Sequence, residues 1–297
     1  MIAGLFKQGV SLLGVNRAIS EERLYAEART LLKASIQQVQ GKVLEPWEML
    51  GVDFLDEEVV EAFLALAAQR GSGTPLQYLT GWQGFYHHDY AVRSGVLIPR
   101  PETEQLLEQS LAWVRERFSS GWGLEIGLGS GVLSIELLAL FPQLRMQASE
   151  FSEVASICAQ ENAQRILGDT SQRLRCVRPS SLKEVWAPFE DRLEKADFLI
   201  SNPPYLNRLF QEQEAEPEVL NYEPSEALFP EHEDCLFFYR SIAERVLEFL
   251  RPDGMIFLEI AHERADETCK LFEAWKTQIF CDLNRRRRVL VVELSHG

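Results

Sequence analysis

The sequence predicts an α/β fold in two parts: an N-terminal helical bundle, then a mostly parallel, Rossmann-like, seven-stranded sheet closed by a C-terminal antiparallel hairpin. Three observations carry this. Up to about residue 80, apolar residues recur at helical spacing with almost no β-branched alternation. From about residue 104 onward, short apolar runs alternate with helical stretches, the pattern of a parallel sheet covered on both faces. The last two apolar runs are joined by only a few residues, too few for a helical crossover, so they must pair antiparallel.

Each element follows from local signals. Ser20-Glu21-Glu22-Arg23 reads as a helix N-cap with acids in the first turn, where they favour the helix dipole. Leu24, Ala28, Leu31 and Leu32 follow at helical spacing, and a further helix is expected after Asp56, with Val59, Val60, Phe63, Leu64 and Leu66 apolar. Gly71-Ser72-Gly73-Thr74-Pro75 punctuates the chain as a linker. The aromatic, β-branched stretch beyond it, with turn residues at Gly81, Gly84 and Ser94-Gly95, reads as a hairpin between two domains. The expected division is therefore 1–75 helical domain, 76–103 linking hairpin and 104–297 sheet domain. Strands are expected at Gly123–Ile126, Arg145–Ser149, Leu174–Val177, Asp197–Ser201, Met255–Ile260, Gln278–Asp282 and Val289–Leu294. Helices are expected at Val132–Leu140, Glu153–Gln164, Leu236–Leu250 and Arg264–Trp275. Parallel strands closed by an antiparallel hairpin suit a class I methyltransferase sheet better than an NAD-binding one.

Composition narrows the function classes. The 297 residues are 46% hydrophobic and 25% charged, which excludes wholesale disorder, collagen-like repeats and a small disulfide-stapled scaffold. With 30 Lys+Arg against 45 Asp+Glu the formal net charge is -15, the opposite of a phosphate-tracking surface, so direct nucleic-acid binding is not expected. The five cysteines are odd in number and none form a C-x-x-C pair, so neither a metal site nor a disulfide framework is expected and a reducing cytoplasm fits. The first residues carry a lysine after only six positions and no small-residue cleavage pattern, unlike a signal peptide. No apolar run reaches the ~18–20 residues of a membrane span. A cytoplasmic monomer is the expectation.

Three motifs carry chemistry. In Leu124-Glu125-Ile126-Gly127-Leu128-Gly129-Ser130-Gly131-Val132, an apolar strand runs through three alternating glycines into a helix. Glycines permit a sharp turn and close approach of a ligand, and the helix aims its free N–H groups there. The spacing is G-x-G-x-G, where a dinucleotide site needs G-x-G-x-x-G, and it suits S-adenosylmethionine better than a pyrophosphate. A glycine-rich turn without a ligand is the alternative. Glu150 follows the next strand, 23 residues after Gly127, where a carboxylate can accept both ribose hydroxyls; a solvated acid at a strand end is the alternative. Ser201-Asn202-Pro203-Pro204-Tyr205 directly follows a third apolar strand, at the carboxyl end where open α/β sheets bind ligands. An amide or aromatic amine is a poor nucleophile because its lone pair is conjugated. Asn202 supplies a side-chain carbonyl acceptor, Pro203 a backbone carbonyl held extended by Pro204, and Tyr205 a flat face for a planar group.

Together with Gly95–Glu104 (GVLIPRPETE) and Asn221–Leu228 (NYEPSEAL), these motifs resemble the HemK/PrmC family across nearly the whole chain. Members are S-adenosylmethionine-dependent methyltransferases acting on the glutamine of the Gly-Gly-Gln loop of peptide chain release factors, in translation termination. SNPPY alone is shared with nucleic-acid amino-methyltransferases; the IPRPETE segment makes the match specific. The resemblance implies that Gly127, Leu128, Gly129, Ser130, Gly131, Glu150, Leu182 and Asn202 bind the cofactor. It implies that Asn202, Pro203, Pro204 and Tyr205 bind the glutamine amide, with Asn202, Pro203 and Tyr205 catalytic. Arg100, Pro101 and Glu102 would help shape the pocket, and the helical domain would dock the release factor.

The chain departs from the family pattern at several places. Glu125 stands where Asp is usual, Leu128 where a small or polar residue is usual, and Ser180-Ser181-Leu182 where Ser-Asp-aromatic is usual, removing a carboxylate expected at the adenine amine. Phe229–Cys235 replaces a glycine-rich turn, and Glu259-Ile260-Ala261-His262-Glu263-Arg264 replaces E-I-G-x-x-Q. Two rival functions follow: a nucleic-acid amino-methyltransferase, and a cofactor-binding homologue that has lost catalysis. Elsewhere, His87-His88 reads as a surface hairpin, Arg285–Arg288 as a solvated turn, and Glu212, Glu214, Glu216 and Glu218 as a solvated acidic lid.

Overall fold

The computed structural model describes residues 2–14, 19–42, 55–117, 120–192, 194–207, 209, 215–230 and 234–294. Glu212 and Glu214 of the expected lid, and residues 231–233, lie outside the described residues. Two compact units are present, Met1–Trp82 and Gln83–Gly297.

The first unit contains α1 (Ile2–Leu13), α2 (Glu21–Gln40), α3 (Glu57–Gly71) and α4 (Leu76–Thr80). Ser20 caps α2 as its sequence indicates, accepting the Arg23 N–H at 3.3 Å, and Gly41 ends it in the left-handed region. Leu13, Ala28, Leu31, Leu32, Ile36, Val59, Phe63 and Ala67 form the core. A buried ion pair crosses it: Arg70 Nε donates to Glu27 Oε2 at 2.9 Å and Nη2 to Oε1 at 3.2 Å, while Nη1 reaches Thr74 O at 2.9 Å. Such a bidentate pair fixes geometry as much as it stabilises. Leu76 and Leu79 of α4 also pack on this core.

The hairpin β1 (Trp82–Phe85) and β2 (His88–Ala91) turns at Tyr86, whose φ is 51°. The second unit then runs α5 (Thr103–Arg117), β3 (Gly121–Ile126), α6 (Val132–Leu140), β4 (Leu144–Ser149), α7 (Glu153–Leu167), β5 (Leu174–Val177) and β6 (Ala196–Ser201). It ends with α8 (Pro217–Tyr222), α9 (Ser225–Leu228), α10 (Phe237–Phe249), β7 (Leu250–Glu259), α11 (Ala265–Lys270), β8 (Lys276–Cys281) and β9 (Arg287–Glu293). The seven-stranded sheet has the order β5-β4-β3-β6-β7-β9-β8. β3 is parallel to β4 and β6, β4 to β5, and β6 to β7, whereas β9 runs antiparallel to both β7 and β8. This is the class I methyltransferase sheet with its antiparallel C-terminal strands.

Alternation along the strands builds two cores. Leu199, Ile256, Leu258, Leu290 and Val292 face a cluster with Phe238, Ile242 and Val246 of α10. Their neighbours Phe198, Ile200, Met255, Phe257, Val289 and Val291 face Leu106, Leu107 and Leu111 of α5 and Leu133 and Leu137 of α6. Each fully buried side chain contributes roughly 1.5–3 kcal/mol of transfer free energy.

Several elements differ from the sequence reading. α4 (Leu76–Thr80) is a helix within the stretch read as hairpin, α5 (Thr103–Arg117) is a helix the reading did not list, and β7 starts at Leu250 and not at Met255. The expected helix Arg264–Trp275 is regular only over Ala265–Lys270; beyond it Leu271, Phe272, Glu273 and Trp275 each donate to the carbonyl three residues back. These tighter turns swing the chain into β8.

Candidate functional site

The order of the sheet reverses between β3 and β6, and ligand sites of open α/β sheets lie outside the strands' carboxyl ends at such a point. The glycine turn leaves β3 there. Gly127, Gly129 and Gly131 have φ of 78°, 58° and 89°, the left-handed region that side chains with a Cβ rarely enter. Their surroundings differ. A Cβ on Gly129 would meet nothing within 4 Å, whereas one on Gly131 would lie 2.7 Å from Ile135 Cδ1 and 3.3 Å from Ala159 Cβ. Gly129 thus faces open space and Gly131 permits close packing against α7.

The turn is tied to the end of β4, where the Gly127 N–H donates to Ser149 O at 2.8 Å. Glu150 follows. Its Oε2 accepts the Gly129 N–H at 2.8 Å and its Oε1 the Ser152 N–H at 2.8 Å. Each carboxylate oxygen therefore holds one backbone donor and keeps capacity for a second. Burial pushes the Glu150 pKa up; the N–H groups of Gly129 and Ser152 oppose that shift, and the Glu226 carboxylate adds to it.

Gly127, Gly129, Glu150, Leu182, Asn202, Pro203 and Pro204 line one cleft, with Leu97, Phe151, Val185 and Phe238 among its apolar walls. Three residues expected at the cofactor are not among the lining residues. Leu128 is buried against Ala148 and Ala159. Ser130 is buried, its carbonyl accepting Asn162 Nδ2 at 3.0 Å. Gly131 is filled in by α6 and α7 as described. All three shape the turn from behind.

A second cleft adjoins the first, and Asn202, Pro203, Leu97 and Ala227 line both. Its other walls are mixed: the polar side chains of Arg100, Glu102, Glu216, Glu259, Arg288 and Tyr205 stand beside Leu206, Val219 and Leu228. Ser201 Oγ donates to Ile126 O at 2.7 Å, pinning the start of the Asn202–Tyr205 loop to the end of β3. Asn202 Nδ2 donates to Thr103 Oγ1 at 3.2 Å, Thr103 Oγ1 to Glu259 Oε2 at 2.7 Å, and the Tyr205 hydroxyl to Glu259 Oε1 at 3.0 Å. Burial pushes the Glu259 pKa up, against the Thr103 hydrogen bond, the Arg288 charge and the Tyr205 hydrogen bond. Burial, with the Glu259 charge beside it, pushes the Tyr205 phenol up as well. Arg100 is held by Glu223, which also accepts the Ile98 N–H at 3.1 Å.

Thr103 and Glu259 had no assigned role in the sequence reading. Thr103 lies within IPRPETE, and Glu259 ends an apolar strand beside the SNPPY strand, so a positional signal existed for both. Arg288 corrects the reading of Arg285–Arg288 as a solvated turn: its guanidinium lies 3.3 Å from Asp282 Oδ2, and its side chain is 14% exposed. Glu216 is exposed and lines the second cleft, whereas Glu218 is half-buried and does not line it. His88 Nδ1 lies 2.9 Å from Glu136 Oε1, and among the described residues no group of three His, Cys, Asp or Glu side chains could hold a metal. No helix among them is long and apolar enough to cross a membrane.

The chain can now be set beside known proteins. The bifunctional methyltransferase of Rickettsia typhi is 31% identical over 286 residues, 90% of this chain and 52% of that protein. The chain thus spans about half the length of such relatives. The release factor glutamine methyltransferase of Bacteroides thetaiotaomicron is 32% identical over 260 residues, 84% of this chain and 86% of that protein. Among solved structures, the hMettl16 catalytic domain in complex with the MAT2A 3′UTR hairpin 6 matches with a TM-score of 0.50 and 15% identity, covering 78% of this chain and 83% of that one, a likeness of fold alone. No protein-family model matches the chain. The sheet and the placement of the clefts define a class I methyltransferase domain. The chain belongs to the family of release factor glutamine methyltransferases.

Proposed function

We propose that this chain transfers a methyl group from S-adenosylmethionine to the side-chain amide nitrogen of the Gly-Gly-Gln glutamine of a peptide chain release factor. The observation that carries the reading is the shared wall of the two clefts, Asn202 and Pro203, with an apolar chamber on one side and one that carries the charged side chains on the other.

The residues of the first cleft fit the cofactor. Gly129 opens onto free space, Glu150 retains an acceptor site on each oxygen for a ribose diol, and Leu182, Val185 and Phe238 offer an apolar bed for a purine. When bound, S-adenosylmethionine supplies an electrophilic sulfonium methyl group. The remaining work falls to the protein. The Asn202 side-chain carbonyl and the Pro203 backbone carbonyl accept hydrogen bonds from the glutamine NH2 and turn its lone pair toward the first cleft. Pro204 keeps that unit extended, and Tyr205 supports it from Glu259. Rate acceleration comes from alignment and from acceptors aimed at a nitrogen losing its conjugation. The proton leaves to solvent after transfer.

The net charge of -15 favours a protein substrate over a nucleic acid. The helical unit Met1–Trp82 is proposed as the docking module, and the cytoplasm as the compartment. Mass spectrometry of a release factor incubated with the full chain and S-adenosylmethionine is expected to show one added methyl on that glutamine. Methylation of duplex DNA or RNA in parallel reactions, with none on the release factor, would overturn the reading. Cofactor binding without turnover on any acceptor would instead identify a homologue that has lost catalysis.

A further inference from the structure

We propose that Thr103 and Glu259 decide which end of the Asn202 side-chain amide faces the substrate, making them positioning residues for the transfer. The inference rests on the amide-methylation reading above and deepens it.

The two ends of an asparagine amide are nearly equal in size, so packing alone cannot orient them; hydrogen-bond polarity can. The chain of contacts begins at Glu259, the last residue of β7, which is 1% exposed. In the ionised form, which the Arg288 charge and the Thr103 and Tyr205 hydroxyls favour, Glu259 accepts and does not donate. The Thr103 hydroxyl, 2.7 Å from Glu259 Oε2, must therefore spend its single hydrogen there. The Thr103 oxygen is left only as an acceptor. The Asn202 atom 3.2 Å from it must then be the donor Nδ2. With Nδ2 committed, Oδ1 is the end left for a ligand at the junction of the clefts. A reversed amide would set Oδ1 against the Thr103 oxygen, two acceptors face to face, and would offer an NH2 donor to the NH2 donor of a substrate glutamine. The Tyr205 hydroxyl on the other carboxylate oxygen, at 3.0 Å, holds Glu259 in place from the second cleft.

Thr103→Val keeps the shape and removes the hydroxyl; Thr103→Ser keeps the hydroxyl and removes the methyl. The full chain, saturated with S-adenosylhomocysteine, is titrated calorimetrically with acetyl-Gly-Gly-Gln-amide and with its Glu counterpart. Wild type is expected to prefer the glutamine peptide, Thr103→Val to lose roughly tenfold of that preference, and Thr103→Ser to keep it within about threefold. On release factor, kcat of Thr103→Val is expected to fall roughly 10–100-fold with KM within about threefold, and Thr103→Ser to restore it. If valine prevents folding, Thr103→Cys, a weak donor and acceptor at the same place, is expected to give an intermediate loss. An unchanged preference and kcat in the valine or cysteine variant, or a serine variant as impaired as valine, overturns the proposal. Failure of wild type to bind either peptide overturns the amide-substrate reading itself, and the orientation falls with it.

Discussion

The two clefts that share Asn202 differ in how the chain assembles them. The first is walled largely by short contiguous stretches: the glycine turn after β3, Glu150 to Ser152 after β4, and Asn202 to Pro204 after β6. The second draws Arg100 from before α5, Glu216 from the start of α8, Glu259 from the end of β7 and Arg288 from β9. Sheet order brings the last two together. β7 and β9 run antiparallel with Glu259 opposite Val289, and the Ile260 N–H donates to Arg288 O at 2.8 Å. A cleft made from backbone turns at successive strand ends is written locally, because each turn needs its own glycines, prolines and capping acids. A cleft whose charged walls come from distant segments is written in the topology, because only the folded chain brings those segments together.

The largest effect is expected where the clefts meet. Asn202→Ala should lower turnover on the order of 10²–10³-fold at saturating cofactor, by removing one acceptor preorganised for the reacting amide. Cofactor affinity, measured by calorimetry, should change far less. Near-wild-type turnover would reduce the shared wall to a structural loop and break the comparison, since neither cleft would then bear on the chemistry of the other.

A smaller effect, confined to the first cleft, is expected at Glu150. Glu150→Ala removes a charged acceptor that Gly129 and Ser152 hold in place. Hydrogen bonds to a charged group contribute about 1.5–3 kcal/mol, so S-adenosylmethionine should bind roughly tenfold to hundredfold more weakly. The KM for release factor at saturating cofactor should stay within about threefold, because the second cleft is untouched. Equal losses in both would show that the clefts act as one.

The same contrast explains what was legible in the sequence. The five inner strands of the main sheet stand out by their apolar stretches, because a strand buried on both faces leaves little room for polar residues, whereas the edge strands β5 and β8 are only partly buried. The antiparallel end of the sheet follows from the few residues between β8 and β9. α5 was hidden although Leu106, Leu107, Leu111 and Val114 are buried at helical spacing, because its first residue sits inside the IPRPETE motif and the eye assigns that stretch to the loop. The motif residues that reach the first cleft were visible, but which way each faced was not. Leu128 and Ser130 share a turn with Gly127 and Gly129, and only the left-handed backbone at alternate positions sends the first pair into the protein and leaves the second at the cleft. Glu259 and Arg288 could not be matched to Tyr205 without the strand order.

Glu125 sharpens the comparison with the smallest effect, because it lies in the contiguous motif yet is not among the residues lining either cleft. It is 1% exposed, accepts a hydrogen bond from Ser134 Oγ, and burial pushes its pKa up to about 8 from 4.5, against that hydrogen bond. Between those values the folded protein holds a proton that the unfolded chain has released, so stability falls as pH rises. The contribution of the neutral acid is fully present below about 4.5 and is lost as pH rises through about 8. Glu125→Gln keeps the shape and cannot ionise. From about pH 7 to about pH 8, wild type should therefore lose about 1 kcal/mol relative to the variant, seen as a gap in Tm that widens by roughly 2–4 °C. Cofactor affinity should stay within about threefold at both pH values. A gap in Tm that does not change with pH would place the ionised carboxylate in wild type throughout, held by a cation or by water, and a large loss of cofactor affinity would place its side chain at the first cleft after all.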